Sequence, residues 1–163
     1  MPHTITIRRA EPHDCALILD FIRALADYEH MLDDVVATEA LLHEWLFEHR
    51  VAEVIFAVCD GEEVGFALFF HSFSTFLGKA GIYLEDLFVK PKFRSLGIGK
   101  RLLSELARLT LERGCGRLEW QCLDWNAPSI AFYKSLGAVT MDDWTVYRLT
   151  DSALQSLSST KTP

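Results

Sequence analysis

No stretch of this chain reaches the about 20 apolar residues that a membrane-spanning helix needs. Residues 1–15 show no basic start leading into an apolar core, so neither a membrane partner nor a secretory signal is expected. Positive charge is in deficit: 16 Lys and Arg stand against 23 Asp and Glu, a formal −7. That balance argues against a nucleic-acid partner, which would call for a basic face. The four cysteines, Cys15, Cys59, Cys115 and Cys122, have no C-x-x-C spacing, and the six histidines form no H-E-x-x-H pair. Buried reduced thiols are expected and a metal is not. The three-glycine dinucleotide fingerprint and its downstream ribose-binding acid are missing, which disfavours a hydride-transferring enzyme. Internal repeats and Gly-, Pro- or Ser-rich linkers are missing too. One domain over 1–150 is expected, with a weakly structured tail over 151–163. The default is a soluble, cytoplasmic protein.

Half of the 163 residues are hydrophobic and 12% are aromatic, enough for a packed core. Tyr83 to Lys100 organises the rest. Tyr83 to Val89 has the character of a strand buried on both faces, with Tyr83, Glu85, Leu87 and Val89 pointing one way and Leu84, Asp86 and Phe88 the other. Pro91 ends it, because proline fixes φ and cannot donate to a ladder. Gly97 and Gly99 then open a helix with Leu102, Leu103, Leu106 and Leu109 at helical spacing. A strand, a glycine-bearing loop and a helix N-terminus converge unpaired N–H groups on one point, which suits an anion. Lys90, Lys92, Arg94, Lys100 and Arg101 add cations, so a phosphate-bearing ligand is expected there. An acidic chain with one basic loop also suggests a second, cationic ligand.

Along the chain, Thr4 to Arg9 alternates as a strand, and Asp14 is placed to cap a helix carrying Leu17, Ile18, Phe21, Ile22 and Leu25. Thr38 is a cap for a second helix through Leu41, Leu42, Trp45 and Leu46, the last two as core. Val54 to Cys59, Asp60-Gly61 and Glu63 to Phe73 form a hairpin pattern. After the central helix, Gly114 is a stop, Arg117 to Cys122 a strand, and Asn126 the cap of a helix ending at Gly137. Trp144 to Leu149 has the pattern of a last strand. The order β-α-α-β-β-β-α-β-α-β makes an α/β (α+β) fold: a mixed sheet with helices on both faces.

Arg94-Ser95-Leu96-Gly97-Ile98-Gly99 matches the R/Q-x-x-G-x-G/A signature of the GCN5-related N-acetyltransferase (GNAT) family. Leu123 to Ala138, Tyr83 to Val89, Asp14-Cys15 and Leu25 to Glu29 closely resemble its diamine and polyamine branch, the spermidine/spermine N-acetyltransferases and their thialysine-acetylating relatives. The resemblance covers residues 4 to 149 and implies the GNAT fold, with a mostly antiparallel sheet. It implies that Leu87, Phe88 and Val89 pair with the pantetheine arm of acetyl-CoA. Arg94, Ser95, Leu96, Gly97, Ile98, Gly99 and Lys100 would hold the pyrophosphate, and Asn126, Ala127, Pro128 and Ser129 would line the cofactor near its thioester. Tyr133 resembles the acid that protonates the departing thiolate, and Glu85 the carboxylate that helps remove the amine proton through water. Tyr28, Glu29, Glu85, Glu119, Trp120 and Gln121 fall at substrate-contacting positions. The family also implies a homodimer. Ser95 stands where many relatives carry glycine.

The chemistry fits these residue types. An alkylammonium is almost wholly protonated at neutral pH and must lose a proton before it attacks, and a desolvated carboxylate such as Glu85 would be drawn toward a useful base. A backbone N–H from a splayed central strand could stabilise the oxygen as charge grows on it. A phenol can protonate a departing thiolate. No covalent enzyme intermediate is required, so direct transfer in a ternary complex is expected, without a cysteine nucleophile. Blander readings stay open at this point. Glu85 could simply pair with a cation on the sheet, Tyr133 could be a core tyrosine, and Gly97 and Gly99 could permit close packing. The acidic run from Asp27 to Asp34 could be a solvated helix end. Three functions follow: acetylation of a di- or polyamine, acetylation of thialysine, another small amine or a peptide N-terminus, and a non-catalytic acyl-CoA sensor.

Overall fold

The computed structural model describes residues 2–161. Five strands form one sheet in the order β1-β2-β3-β4-β5: Ile5–Arg9, Glu53–Cys59, Glu62–Ser74, Lys79–Val89 and Leu118–Trp120. The first three pairings are antiparallel and β4–β5 is parallel, so the sheet is mixed and mostly antiparallel. The helices are α1 (Cys15–Tyr28), α2 (Glu39–His43), α3 (Ile98–Glu112), α4 (Ala127–Ser135) and α5 (Asp151–Ser158). Backbone contacts divide the chain into two compact units, the first ending at Gln121 and the second beginning at Cys122. Among the described residues, no helix is long and apolar enough to cross a membrane.

Alternation along the strands sends side chains to opposite faces. On one face, Ile18 and Phe21 of α1 pack with Leu46, Val54, Phe56, Phe66 and Phe88, and the Phe21 and Phe66 rings stack at 5.1 Å. Each such burial is worth about 1.5–3 kcal/mol. On the other face lies α3, with Leu102 and Leu106 fully buried. Gly65 makes that approach possible: a Cβ there would stand 3.1 Å from the Phe88 carbonyl and 3.3 Å from Ile98 and Leu102. Arg113, following α3, grips Glu53 of β2 with two bonds of 2.6 and 2.9 Å. The Asp60-Gly61 turn between β2 and β3 has φ of 51° and 88°, the left-handed pair of a tight hairpin.

Some expectations need correction. Asp14 precedes α1 but does not cap it; its carboxylate instead takes the Arg8 guanidinium at 2.8 and 2.9 Å and the Glu11 N–H at 2.7 Å. Trp45 is not core: it is 49% exposed and lies against His49, because the helix widens after α2 and turns Leu46, and partly Phe47, inward instead. The strand after α3 is only three residues long. Trp144 to Leu149 forms no strand, since a strand needs a paired edge and this segment has none among the described residues. The tail from Asp151, expected to be weakly structured, opens with α5, whose residues are all exposed.

Candidate active site

The site begins with an irregularity in β4. Leu68 and Phe69 of β3 are consecutive, but their partners are Asp86 and Leu84, so Glu85 is the extra residue of a β-bulge. Past that point β5 also leaves: it pairs only with Ile82, Tyr83 and Leu84. From Glu85 to Val89, β4 therefore keeps β3 on one edge and, among the described residues, no strand on the other. An open run of strand edge is what an extended amide-bearing arm can pair with. Leu87, Phe88 and Val89 lie on it, with Phe88 itself buried in the α1-side core.

The bulge separates two neighbouring carboxylates. Glu85, expected to be desolvated, is exposed, because the extra residue breaks the alternation that would bury it. Asp86 is the more sheltered of the two, half-buried where Glu85 is exposed. It faces α1, and burial, reinforced by the nearby Glu85 and Glu29 charges, pushes its carboxyl up to about 6. Burial likewise raises Glu29 above the usual carboxylate range. Both line a cleft of about 180 Å³ with Asp34 and the apolar Ile22, Leu25, Ala26, Met31 and Val35. None of these lining residues is cationic. Sequence reasoning did not single out Asp86; the signal available was a carboxylate placed with Leu84 and Phe88 on one face of a strand expected to be buried on both.

Of the expected substrate positions only Glu29 lines the cleft; Tyr28, Glu119, Trp120 and Gln121 do not. Tyr28 ends α1, with the Arg94 guanidinium 4.9 Å above its ring. Glu119 lies on β5 opposite Tyr83 and bonds Arg117 at 2.9 Å, while Trp120 sits opposite Leu84. Gln121, the last residue of the first unit, is exposed. Burial and the Glu85 and Glu119 charges raise the Tyr83 phenol.

After β4, the chain turns through Pro91–Phe93 into the glycine-bearing loop. Ser95 and Gly97 both adopt left-handed backbone, at φ 66° and 75°. No side chain caps α3 at Gly97, so the N–H groups of its first turn, beginning at Ile98, Gly99 and Lys100, have no side-chain acceptor. Such a loop feeding a helix N-terminus is an anion cradle. A Cβ at Gly97 would meet nothing within 4 Å, so the backbone and not close packing demands glycine there. Leu96 and Lys100 are exposed around the loop. Arg94 reaches back instead, donating from Nε to the Val89 carbonyl at 3.1 Å and covering Phe88 as well as Tyr28. The open strand edge, the left-handed loop and the uncapped helix together suit a phosphorylated ligand with an extended amide arm.

In the second unit, Asn126 caps α4 by accepting the Ser129 N–H at 3.4 Å, and Ala127 and Pro128 form the helix's first turn. Tyr133 lies on α4, half-buried, with its ring 5.5 Å from that of Phe132.

Comparison with known proteins gives a consistent result. The acetyltransferase (GNAT) family profile matches residues 19–138. The thialysine N-epsilon-acetyltransferase of Bos taurus is 37% identical over 94% of this chain and 97% of its own length. A spermidine/spermine N(1)-acetyltransferase-like protein of Homo sapiens is 30% identical over 93% of this chain and 23% of its own. Among solved structures, an integron cassette protein from the mobile metagenome of V. cholerae superposes with a TM-score of 0.80 at 30% identity, covering 98% of this chain and 99% of that one.

Proposed function

This chain belongs to the acetyltransferase (GNAT) family and is an N-acetyltransferase, and from that premise we propose that it acetylates a primary amine of a small di- or polyamine. The family uses acetyl-CoA as acetyl donor. The observation that carries the substrate reading is the cleft beneath β4, where Glu29, Asp34 and Asp86 stand among apolar side chains with no lining cation. A polymethylene chain with a second ammonium suits that mixture: carbon meets Ile22, Leu25 and Val35, and the charge meets carboxylates.

When bound, acetyl-CoA supplies an acetyl group activated as a thioester. Leu87, Phe88 and Val89 would hold its amide arm, and Arg94 to Lys100 its diphosphate. Asn126, Ala127, Pro128 and Ser129 would line it at the start of α4. Glu85, solvent-exposed, takes the proton from the ammonium through water, which frees the nitrogen lone pair for attack. Tyr133 gives its phenolic proton to the departing sulfur. Transfer is direct, and Tyr28, Glu29, Glu119, Trp120 and Gln121 contact the amine. The active form is a homodimer; exposed Trp144, Val146 and Tyr147 of the second unit support an apolar interface between copies.

Thialysine is the second reading, favoured by the Bos taurus relative. Its carboxylate would want a cation, which the cleft lining does not offer. Release of CoA thiol, measured against putrescine, spermidine, spermine, thialysine and lysine with mass analysis of products, separates the readings. Diamine or polyamine turnover at least about tenfold above thialysine supports the proposal. The reverse ranking establishes the second reading, and no turnover on any of them removes the substrate claim.

A further inference from the structure

A second cluster of reactive side chains lies in the first unit where β1 begins beside the β2–β3 turn. His3, Cys59 and Asp60 each offer one ligand atom, and the three atoms all lie within 4.8 Å of one another. The His3 Nδ1 is 2.7 Å from Asp60 Oδ2, and the Cys59 thiol turns to the same oxygen at 3.9 Å. The other carboxylate oxygen is already fixed, accepting the Thr4 N–H at 2.9 Å, while the Asp60 N–H donates to the Thr4 carbonyl at 3.0 Å. One oxygen therefore orients the carboxylate and the other faces the thiol and imidazole. Cys59 is buried at the base, and His3 and Asp60 stand half in solvent above it. Fifty-seven residues separate His3 from Asp60, which is why ligand spacing along the sequence does not reveal the group.

We propose that His3, Cys59 and Asp60 form a binding site for a borderline-soft divalent cation, Zn²⁺ by preference. Thiolate and imidazole select against Mg²⁺ and Ca²⁺. Tetrahedral zinc with bonds of about 2.0–2.3 Å needs ligand atoms about 3.3–3.8 Å apart, which small rotations of the exposed His3 and Asp60 side chains provide. Three protein ligands leave the fourth position to water, so the ion is exchangeable. On binding, the Cys59 S–H and any proton on His3 Nδ1 pass to solvent or buffer, and Asp60 binds as the carboxylate it already is. The ion ties the start of β1 to the hairpin turn.

The test uses the full chain, tag-free and reduced, titrated with Co²⁺. One equivalent should bind with a sulfur-to-cobalt charge-transfer band and intense tetrahedral visible absorption, both displaced by Zn²⁺. Cys59→Ser should abolish the charge-transfer band. His3→Ala, at an exposed position, and Asp60→Asn, which keeps an acceptor for Thr4, should each weaken binding at least about tenfold. Saturating Zn²⁺ should also raise the melting temperature of the wild type and not of His3→Ala, a readout that stands even if Cys59→Ser does not fold. No saturable binding at micromolar metal overturns the proposal. So does a charge-transfer band that survives in Cys59→Ser, or affinity unchanged in His3→Ala.

Discussion

Adjacent residues on β4 have different environments because one extra residue sits in the ladder. Glu85 occupies the bulge and meets solvent, while Asp86 is half-buried, with its carboxyl pushed up to about 6. An acid whose folded pKa exceeds its ordinary 3.8 binds protons more tightly when folded. The chain therefore loses stability as pH rises from about 4 to about 6, and the cost persists above. Asp86→Asn should raise stability at about pH 7.5 by about 1–2 kcal/mol and leave it unchanged below about pH 4, as read by urea unfolding at both pH values. The same substitution should lower kcat/KM for a diamine at least about tenfold, so stability and activity move in opposite directions. Tyr133→Phe should lower kcat about a hundredfold with acetyl-CoA affinity unchanged by calorimetry; an unchanged rate would remove Tyr133 as the acid. The sequence made this carboxylate pair visible but led to both faces of the strand, Glu85 included, being expected to be buried. Period-two alternation cannot register an inserted residue, and nothing in Leu84-Glu85-Asp86-Leu87 announces one.

At the scale of elements, the proposed cofactor cradle is a strand that loses its neighbour and a helix that starts without a cap. The end of the strand and the start of the helix were legible in local chemistry: Pro91 stops β4, and Gly97 supplies left-handed backbone where α3 begins. Gly97→Ala should destabilise the fold by about 1 kcal/mol through backbone strain alone and weaken acetyl-CoA binding. Ser95 adopts the same left-handed region at φ 66° with a side chain attached, so Ser95→Gly should be neutral or stabilise by up to about 1 kcal/mol, seen as a higher urea midpoint. The α1, α3 and hairpin signals survived because each records its own capping, periodicity or turn residues. Trp144 to Leu149 did not, because alternation expresses strand propensity and says nothing about whether an edge is available to pair with. The shortness of β5 was hidden for the same reason.

For the whole molecule, an acidic chain of net charge −7 concentrates cations between Lys90 and Arg101 and carboxylates in the cleft beneath β4. The two signs of charge are thereby sorted to separate places. In the second unit, Trp144 is 72% and Tyr147 92% exposed, which a lone chain gains nothing by displaying. Sedimentation equilibrium should give twice the mass of one chain, and Trp144→Lys with Tyr147→Lys should return the single-chain mass; a wild-type monomer would remove the homodimer. The central claim is that the cleft carboxylates select a second positive charge on the amine. Its most direct test is the ratio of kcat/KM for putrescine to that for butylamine, which has the same carbon chain and one ammonium fewer. The expected ratio is at least about tenfold in the wild type, falling toward unity when Asp86→Asn and Glu29→Gln are combined. Equal values for the two amines in the wild type would contradict the account.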